Sequence, residues 1–125
     1  MARPHILLIE DNPEEQQHLH DTLRQRGYRV STISDPERAL TTVEEWARQF
    51  HLIIIEEAMY GRSGLRLLHE TLTRHRELPV VMVSRDAYWS GYAHALSDGA
   101  ADYIALPSDQ RELLDAVEGA LARAS

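Results

Sequence analysis

The sequence predicts an α/β fold, a doubly wound five-stranded parallel sheet, in one domain over residues 1–125. Three observations predict it. Short apolar runs rich in β-branched residues alternate with stretches at helical spacing along the whole chain. Two of the runs, Ile53-Ile54-Ile55 and Val80-Val81-Met82-Val83, are continuously apolar rather than alternating, the pattern of strands covered on both faces. Five β–α units in series then join parallel strands by right-handed crossovers and put helices on both sides of the sheet.

Taken in order, strands are expected at residues 5–10, 28–33, 51–56, 79–84 and 101–104. Asn12-Pro13-Glu14-Glu15 opens the first helix with a capping side chain, proline in the first turn and two acids near the positive end of the helix dipole. Gly27 can end it. Asp35-Pro36-Glu37 opens the second helix by the same chemistry, and Leu40, Val43 and Ala47 form its apolar stripe. Leu65, Leu68 and Leu72 mark the third helix; Leu114, Val117 and Leu121 mark the fifth, with Ser108 as its expected cap. The fourth, near residues 86–98, has the weakest stripe and is expected to be the most mobile.

Composition narrows the function. The net charge of −7 and pI near 5.4 argue against direct contact with nucleic acid, whose phosphates want a basic surface. Cysteine is absent, which removes disulfides, thiol nucleophiles and cysteine metal sites. No apolar run approaches the roughly 20 residues that cross a bilayer, and Met1-Ala-Arg-Pro-His5 lacks the apolar stretch of a secretory signal. A cytoplasmic domain with no membrane partner is expected. All 13 basic residues are arginine, so no lysine is available to any site.

In open α/β sheets, sites form beyond the carboxyl ends of the strands. The residues that fall there are Glu10 and Asp11, Glu56, Ser84 and Arg85, and Leu106-Pro107. No glycine-rich loop follows the first strand, where Glu10-Asp11-Asn12-Pro13 stands instead. That weighs against a nucleotide-binding or enzymatic domain on this scaffold, as does the want of a nucleophile–base pair.

With these residues set out, the whole chain resembles the receiver domain of bacterial two-component response regulators, CheY-like and flavodoxin-like, a (βα)5 fold with strand order 2-1-3-4-5. Ile6-Leu-Leu-Ile-Glu10-Asp11 is similar to the family's acidic pair that holds Mg²⁺. Ser84 matches the hydroxyl residue that binds the phosphoryl group, and Tyr103 the aromatic that reorients on activation. Gly99-Ala-Ala-Asp-Tyr103 and Pro107 match the Gly-Ala…Lys-Pro segment.

Two departures carry the functional argument. The resemblance puts Glu56 where an aspartate accepts the phosphoryl group, and Leu106 where a lysine neutralises it. Glutamate adds one methylene, about 1.5 Å, and misplacement near 1 Å can cost roughly 100-fold in rate. Leucine supplies none of the charge stabilisation that phosphoryl transfer depends on. The resemblance therefore implies a degenerate pseudo-receiver, regulating through protein contacts without phosphorylation and without catalysing a reaction. A working phosphoacceptor using Glu56 with Mg²⁺ is the alternative.

Glu56 reads two ways: a longer carboxylate reaching toward Ser84 to mimic a phosphorylated aspartate, or a solvated acid at a drifted site. One carboxylate is a poor copy of a group bearing about −1.5 to −2 charge. Glu57 is read as an exposed neighbour. No cofactor is required on this reading; Asp11 and Glu56, beside Glu10 and with a backbone carbonyl at Ala58, form a weak or absent Mg²⁺ site. Arg85 is the pocket-closing candidate, able to fold over the site and pair with Glu56 or Asp11 in the lysine's stead. Tyr60 replaces a loop proline, and Ser63 is a candidate cap for the third helix.

Tyr88, Trp89 and Tyr92 crowd the fourth helix and form the expected partner face, since Trp and Tyr dominate interface hot spots. In receivers the face of the fourth helix, last strand and last helix meets a protein partner, an output domain or a second copy in a homodimer. The seven histidines lack metal-ligand spacing: His18 and His20 point to different sides of a helix, and His69 and His75 are too far apart to share a face. Nearly all are expected at the surface.

Overall fold

The computed structural model describes residues 3–59 and 64–124. Five strands, β1 (His5–Ile9), β2 (Arg29–Ile33), β3 (Leu52–Glu56), β4 (Val80–Ser84) and β5 (Asp102–Ala105), alternate with α1 (Pro13–Gln25), α2 (Pro36–Trp46), α3 (Gly64–Arg74), α4 (Trp89–Ser97) and α5 (Gln110–Ala124). A short 3-10 turn, Ala47–Gln49, follows α2. All strands pair in parallel in the order β2-β1-β3-β4-β5. The doubly wound flavodoxin-like architecture expected from the sequence is the one observed.

Strand alternation sorts the side chains into two cores. Leu7, Ile9, Ile53, Ile55, Val80 and Met82 join Ala39, Val43, Leu67, Leu68 and Ala95, under α2, α3 and α4. Ile6, Leu8, Leu52, Ile54, Val81 and Val83 join Leu19, Leu23, Leu113, Val117 and Ala120, under α1 and α5. On β5 the same alternation sends Tyr103 to the first layer and Ile104 to the second, with Leu106 just beyond the strand also in the second.

The helix starts follow the capping chemistry. Asn12 Oδ1 accepts from the Glu15 N–H at 2.9 Å, and Asp35 Oδ1 accepts from the Glu37 N–H at 3.0 Å, satisfying donors that would otherwise face water. Gly27, at φ +104°, turns the chain after α1 in a conformation open to glycine.

Three details differ from expectation. The cap of α5 is Asp109, whose Oδ1 takes the Glu112 N–H at 2.7 Å, rather than Ser108. The buried stripe of α5 centres on Leu113, Ala116, Val117 and Ala120, with Leu114 and Leu121 at its margins. The helix α4 begins at Trp89, three residues after the expected start, because Ser84 Oγ accepts from the Asp86 N–H at 3.2 Å and turns the chain first. Among the histidines, His51 Nδ1 accepts from the His5 N–H at 2.9 Å and His5 Nε2 meets Ser31 Oγ at 2.7 Å. These two link β1 to β2 and to the start of β3, and none of the seven histidines is buried, as expected. No helix among the described residues is long and apolar enough to cross a membrane.

Candidate functional site

The carboxyl ends of β1, β3 and β4 bring Glu10, Asp11, Glu56, Ser84 and Arg85 together. Glu10, Glu56 and Ser84 are completely buried, an unusual place for two carboxyl groups. Glu10 is held from both ends: its Oε2 accepts from the Asn12 N–H at 3.1 Å, and its carbonyl accepts from Gln16 Nε2 at 3.0 Å.

Arg85 crosses this pocket. Its Nε donates to Glu56 Oε1 at 2.7 Å, and its Nη2 donates to Asp11 Oδ1 at 3.0 Å. The Arg85 peptide N–H reaches the same Glu56 oxygen at 3.3 Å, and Nη2 lies 3.9 Å from Glu10 Oε2. One planar guanidinium thus serves three carboxyl groups, a task its fork geometry suits. Glu56 is therefore a buried, paired group and not a solvated acid.

The electrostatics remain unbalanced. Burial pushes Glu10 up to about 7, with the Glu56 and Asp11 charges adding to the shift while the Asn12 peptide and Arg85 oppose it. Burial also raises Glu56, against the lowering effect of the Arg85 hydrogen bond and charge. Burial works against the charge on Arg85, but its bond to Glu56 and the charges of Glu10, Glu56 and Asp11 outweigh that and raise it. Glu10 Oε1 and Glu56 Oε2 are buried without a hydrogen-bond partner.

Those two oxygens are of the kind a hard cation takes, but the arrangement does not fit one. Arg85 already occupies Asp11 and Glu56, and the contact from Ala58 is a peptide hydrogen bond donated to Glu56. Among the described residues, no group of three or more histidine or acidic side chains is disposed to hold a metal ion.

Leu106 packs into the core and makes no contribution to the acidic cluster. It is buried in the α1–α5 layer with Ile104 and Leu113, and its peptide N–H bonds to the Ser84 carbonyl at 2.7 Å. A side chain at this position is part of the core here and brings no charge to the carboxyl groups.

Glu57 corrects the sequence reading. It is half-buried, and its Oε1 accepts a hydrogen bond from the Tyr103 hydroxyl. Tyr103 is buried, and burial first, then the Glu57 bond and charge, push its phenol up to about 12; the Ser84 hydroxyl and the Tyr88 peptide face the same oxygen and oppose the shift. Nothing in composition or spacing signals this bond, because it joins the loop after β3 to β5 across the end of β4.

On α4, Trp89 stacks on Tyr92 with ring centroids 5.4 Å apart, and Tyr92 meets Tyr103 edge-on at 5.7 Å. Trp89 is 79% exposed and Tyr88 is 71% exposed. Tyr88 precedes the helix as its cap residue rather than lying within it. Tyr60 and Ser63 lie outside the described residues.

Comparison with known proteins places this geometry. The chain is 29% identical over 120 residues to the two-component response regulator PhoP of Pseudomonas aeruginosa, covering 96% of this chain and 52% of that protein. It is 33% identical to the transcriptional regulatory protein BaeR of Escherichia coli, covering 96% of this chain and 49% of that one. The chain thus spans about half the length, or less, of such curated relatives. In structure it resembles a CheY-like response regulator receiver domain protein from Methanospirillum hungatei, at TM-score 0.90 and 22% identity, covering 98% and 97% of the two chains; that likeness speaks to the fold alone. Residues 6–118 match the family model of the response regulator receiver domain, and the chain belongs to that family.

Proposed function

We propose that this receiver domain regulates through protein contacts and does not depend on accepting a phosphoryl group. The observation that carries the reading is the ion pair between Arg85 and Glu56 at 2.7 Å. It fills the mouth of the pocket with a cation belonging to the chain, blocks the approach of a phosphodonor, and engages one oxygen of the carboxyl group while the other stays buried. In-line attack needs reacting atoms about 3–3.5 Å apart and aligned; a carboxyl group with one oxygen tied to a guanidinium and the other buried does not offer that. Leu106 adds no charge to offset the transferred group. The contacts run through α4 and its neighbours, where Trp89 and Tyr88 present exposed rings, to a protein partner, an output domain or a second copy of this domain.

A second reading has one observation in its favour. Glu10 Oε1 and Glu56 Oε2, buried and unpartnered, would be used if Arg85 swung outward and Mg²⁺ entered, leaving Glu56 as an acceptor.

The test is intact-protein mass after incubation with acetyl phosphate or phosphoramidate and Mg²⁺, beside a Glu56→Asp, Leu106→Lys double variant. No phosphoryl mass on the wild type, with labelling of the variant, supports the first reading. A labile adduct mapped to Glu56 establishes the second.

A further inference from the structure

Adjacent acids at the end of β3 take opposite directions. Glu56 turns into the Arg85 pocket, and Glu57 turns toward Tyr103, as successive side chains at the end of a strand do. The mechanism proposed above uses Glu56 and leaves Glu57 without a task.

The surroundings of Glu57 are built for its carboxylate. Its backbone is pinned, with the peptide N–H on the Val83 carbonyl at 2.8 Å and its own carbonyl accepting from the Gly64 N–H at 2.6 Å. One side-chain oxygen accepts the hydrogen bond donated by the Tyr103 hydroxyl. The other lies directly against Gly91 on α4, where a Cβ would overlap it well inside van der Waals contact. Gly91 is buried on α4, so its missing side chain is the space the carboxylate fills. The next residue, Tyr92, abuts Tyr103 edge-on and carries Trp89 stacked on its outer side. A single line of contacts therefore runs from the loop after β3, through β5, to the exposed rings of α4.

We propose that Glu57, Gly91 and Tyr103 form a latch that fixes the α4 aromatic face without any phosphoryl group, with Glu57 as its positioning residue. Glu57 supplies the acceptor that holds the Tyr103 ring inward, and Gly91 lets α4 close onto that acceptor. The inward ring then supports Tyr92, and through it the orientation of Trp89. The functional meaning of the latch rests on the protein-contact reading above, but the latch itself is read in the isolated domain.

The experiment is nuclear magnetic resonance of the isotopically labelled protein and its Glu57→Ala, Glu57→Gln, Gly91→Ala and Tyr103→Phe variants. Contacts between the Tyr92 and Tyr103 rings and the position of the Trp89 indole N–H signal are followed. The latch predicts loss of the ring–ring contacts and a shifted Trp89 signal in Glu57→Ala and Gly91→Ala. It predicts retention of both in Glu57→Gln, whose amide oxygen still accepts the phenol proton. Tyr103→Phe, which removes one oxygen and leaves the ring, is to move Trp89 as Glu57→Ala does. Unchanged contacts and an unchanged Trp89 signal in a folded Glu57→Ala overturn the proposal. Should that variant not fold, an unmoved Trp89 signal in Tyr103→Phe overturns it equally. A phosphoryl adduct on the wild type would sink the phosphorylation-independent reading and leave these ring measurements standing.

Discussion

Glu56 Oε1 receives two donors from the same residue: the Arg85 Nε at 2.7 Å and the Arg85 peptide N–H at 3.3 Å. The loop after β4 thereby reaches back over the end of β3. Removing the Arg85 side chain leaves the buried Glu56 with only peptide donors. Breaking a buried pair costs about 3–5 kcal/mol, but Arg85 is 30% exposed and solvent screens part of that. Arg85→Ala is expected to lose about 1–2 kcal/mol at neutral pH by urea denaturation. The loss shrinks under acid conditions, where Glu56 can protonate. No change in stability at pH 7 would contradict the ion pair.

The raised carboxyl of Glu10 makes stability depend on pH in a definite direction. Its ordinary value of 4.5 rises to about 7 in the folded state, so the folded protein holds a proton that the unfolded chain has released. That contribution is full below about pH 4.5, and is lost as pH climbs to about 7. Glu56, raised by burial, acts in the same sense. Glu10→Gln is expected to flatten the fall in urea midpoint across this window. An equally steep fall in the variant would remove Glu10 as its cause.

Leu106 tests the core side of the same argument. It contributes to the α1–α5 layer, where burying a leucine is worth about 2 kcal/mol. Leu106→Lys alone is expected to cost about 1–2 kcal/mol, since the lysine stem recovers part of the packing by reaching for the pocket. A neutral or stabilising result would mean that the layer does not need this side chain.

Trp89 should separate stability from recognition. Being 79% exposed, it can be replaced by alanine with a stability change within about 0.5 kcal/mol. If α4 meets a partner or a second copy, the same change is expected to weaken association by more than about 1 kcal/mol, as truncated hot spots do. Sedimentation of the domain alone reads self-association, and titration with a candidate partner reads the rest. Undiminished binding on both counts would move the contact surface elsewhere.

The fold was legible because its signals are local or periodic. Ile53-Ile54-Ile55 and Val80 to Val83 could be read as doubly covered strands, and Asn12-Pro13 and Asp35-Pro36 as helix starts. The grouping of Glu10, Asp11, Glu56, Ser84 and Arg85 followed from topology alone, and the charge imbalance drew attention to Arg85. What escaped was decided by geometry between distant segments. The start of α4 depended on the Ser84 hydroxyl capturing the Asp86 peptide. Glu57 looked solvent-facing until Tyr103 and Gly91 were placed around it. Ser108 and Asp109 are both competent caps by residue type, and residue type alone does not say that the second takes the Glu112 peptide.

The counter-charge of the acidic pocket is carried by a side chain one residue beyond β4. A tethered cation has a local concentration fixed by the backbone and independent of what the solution holds. Dilution and chelators leave it in place, and its charge persists across the physiological pH range. The pocket's one counter-charge thus comes with synthesis of the chain rather than with supply of an ion.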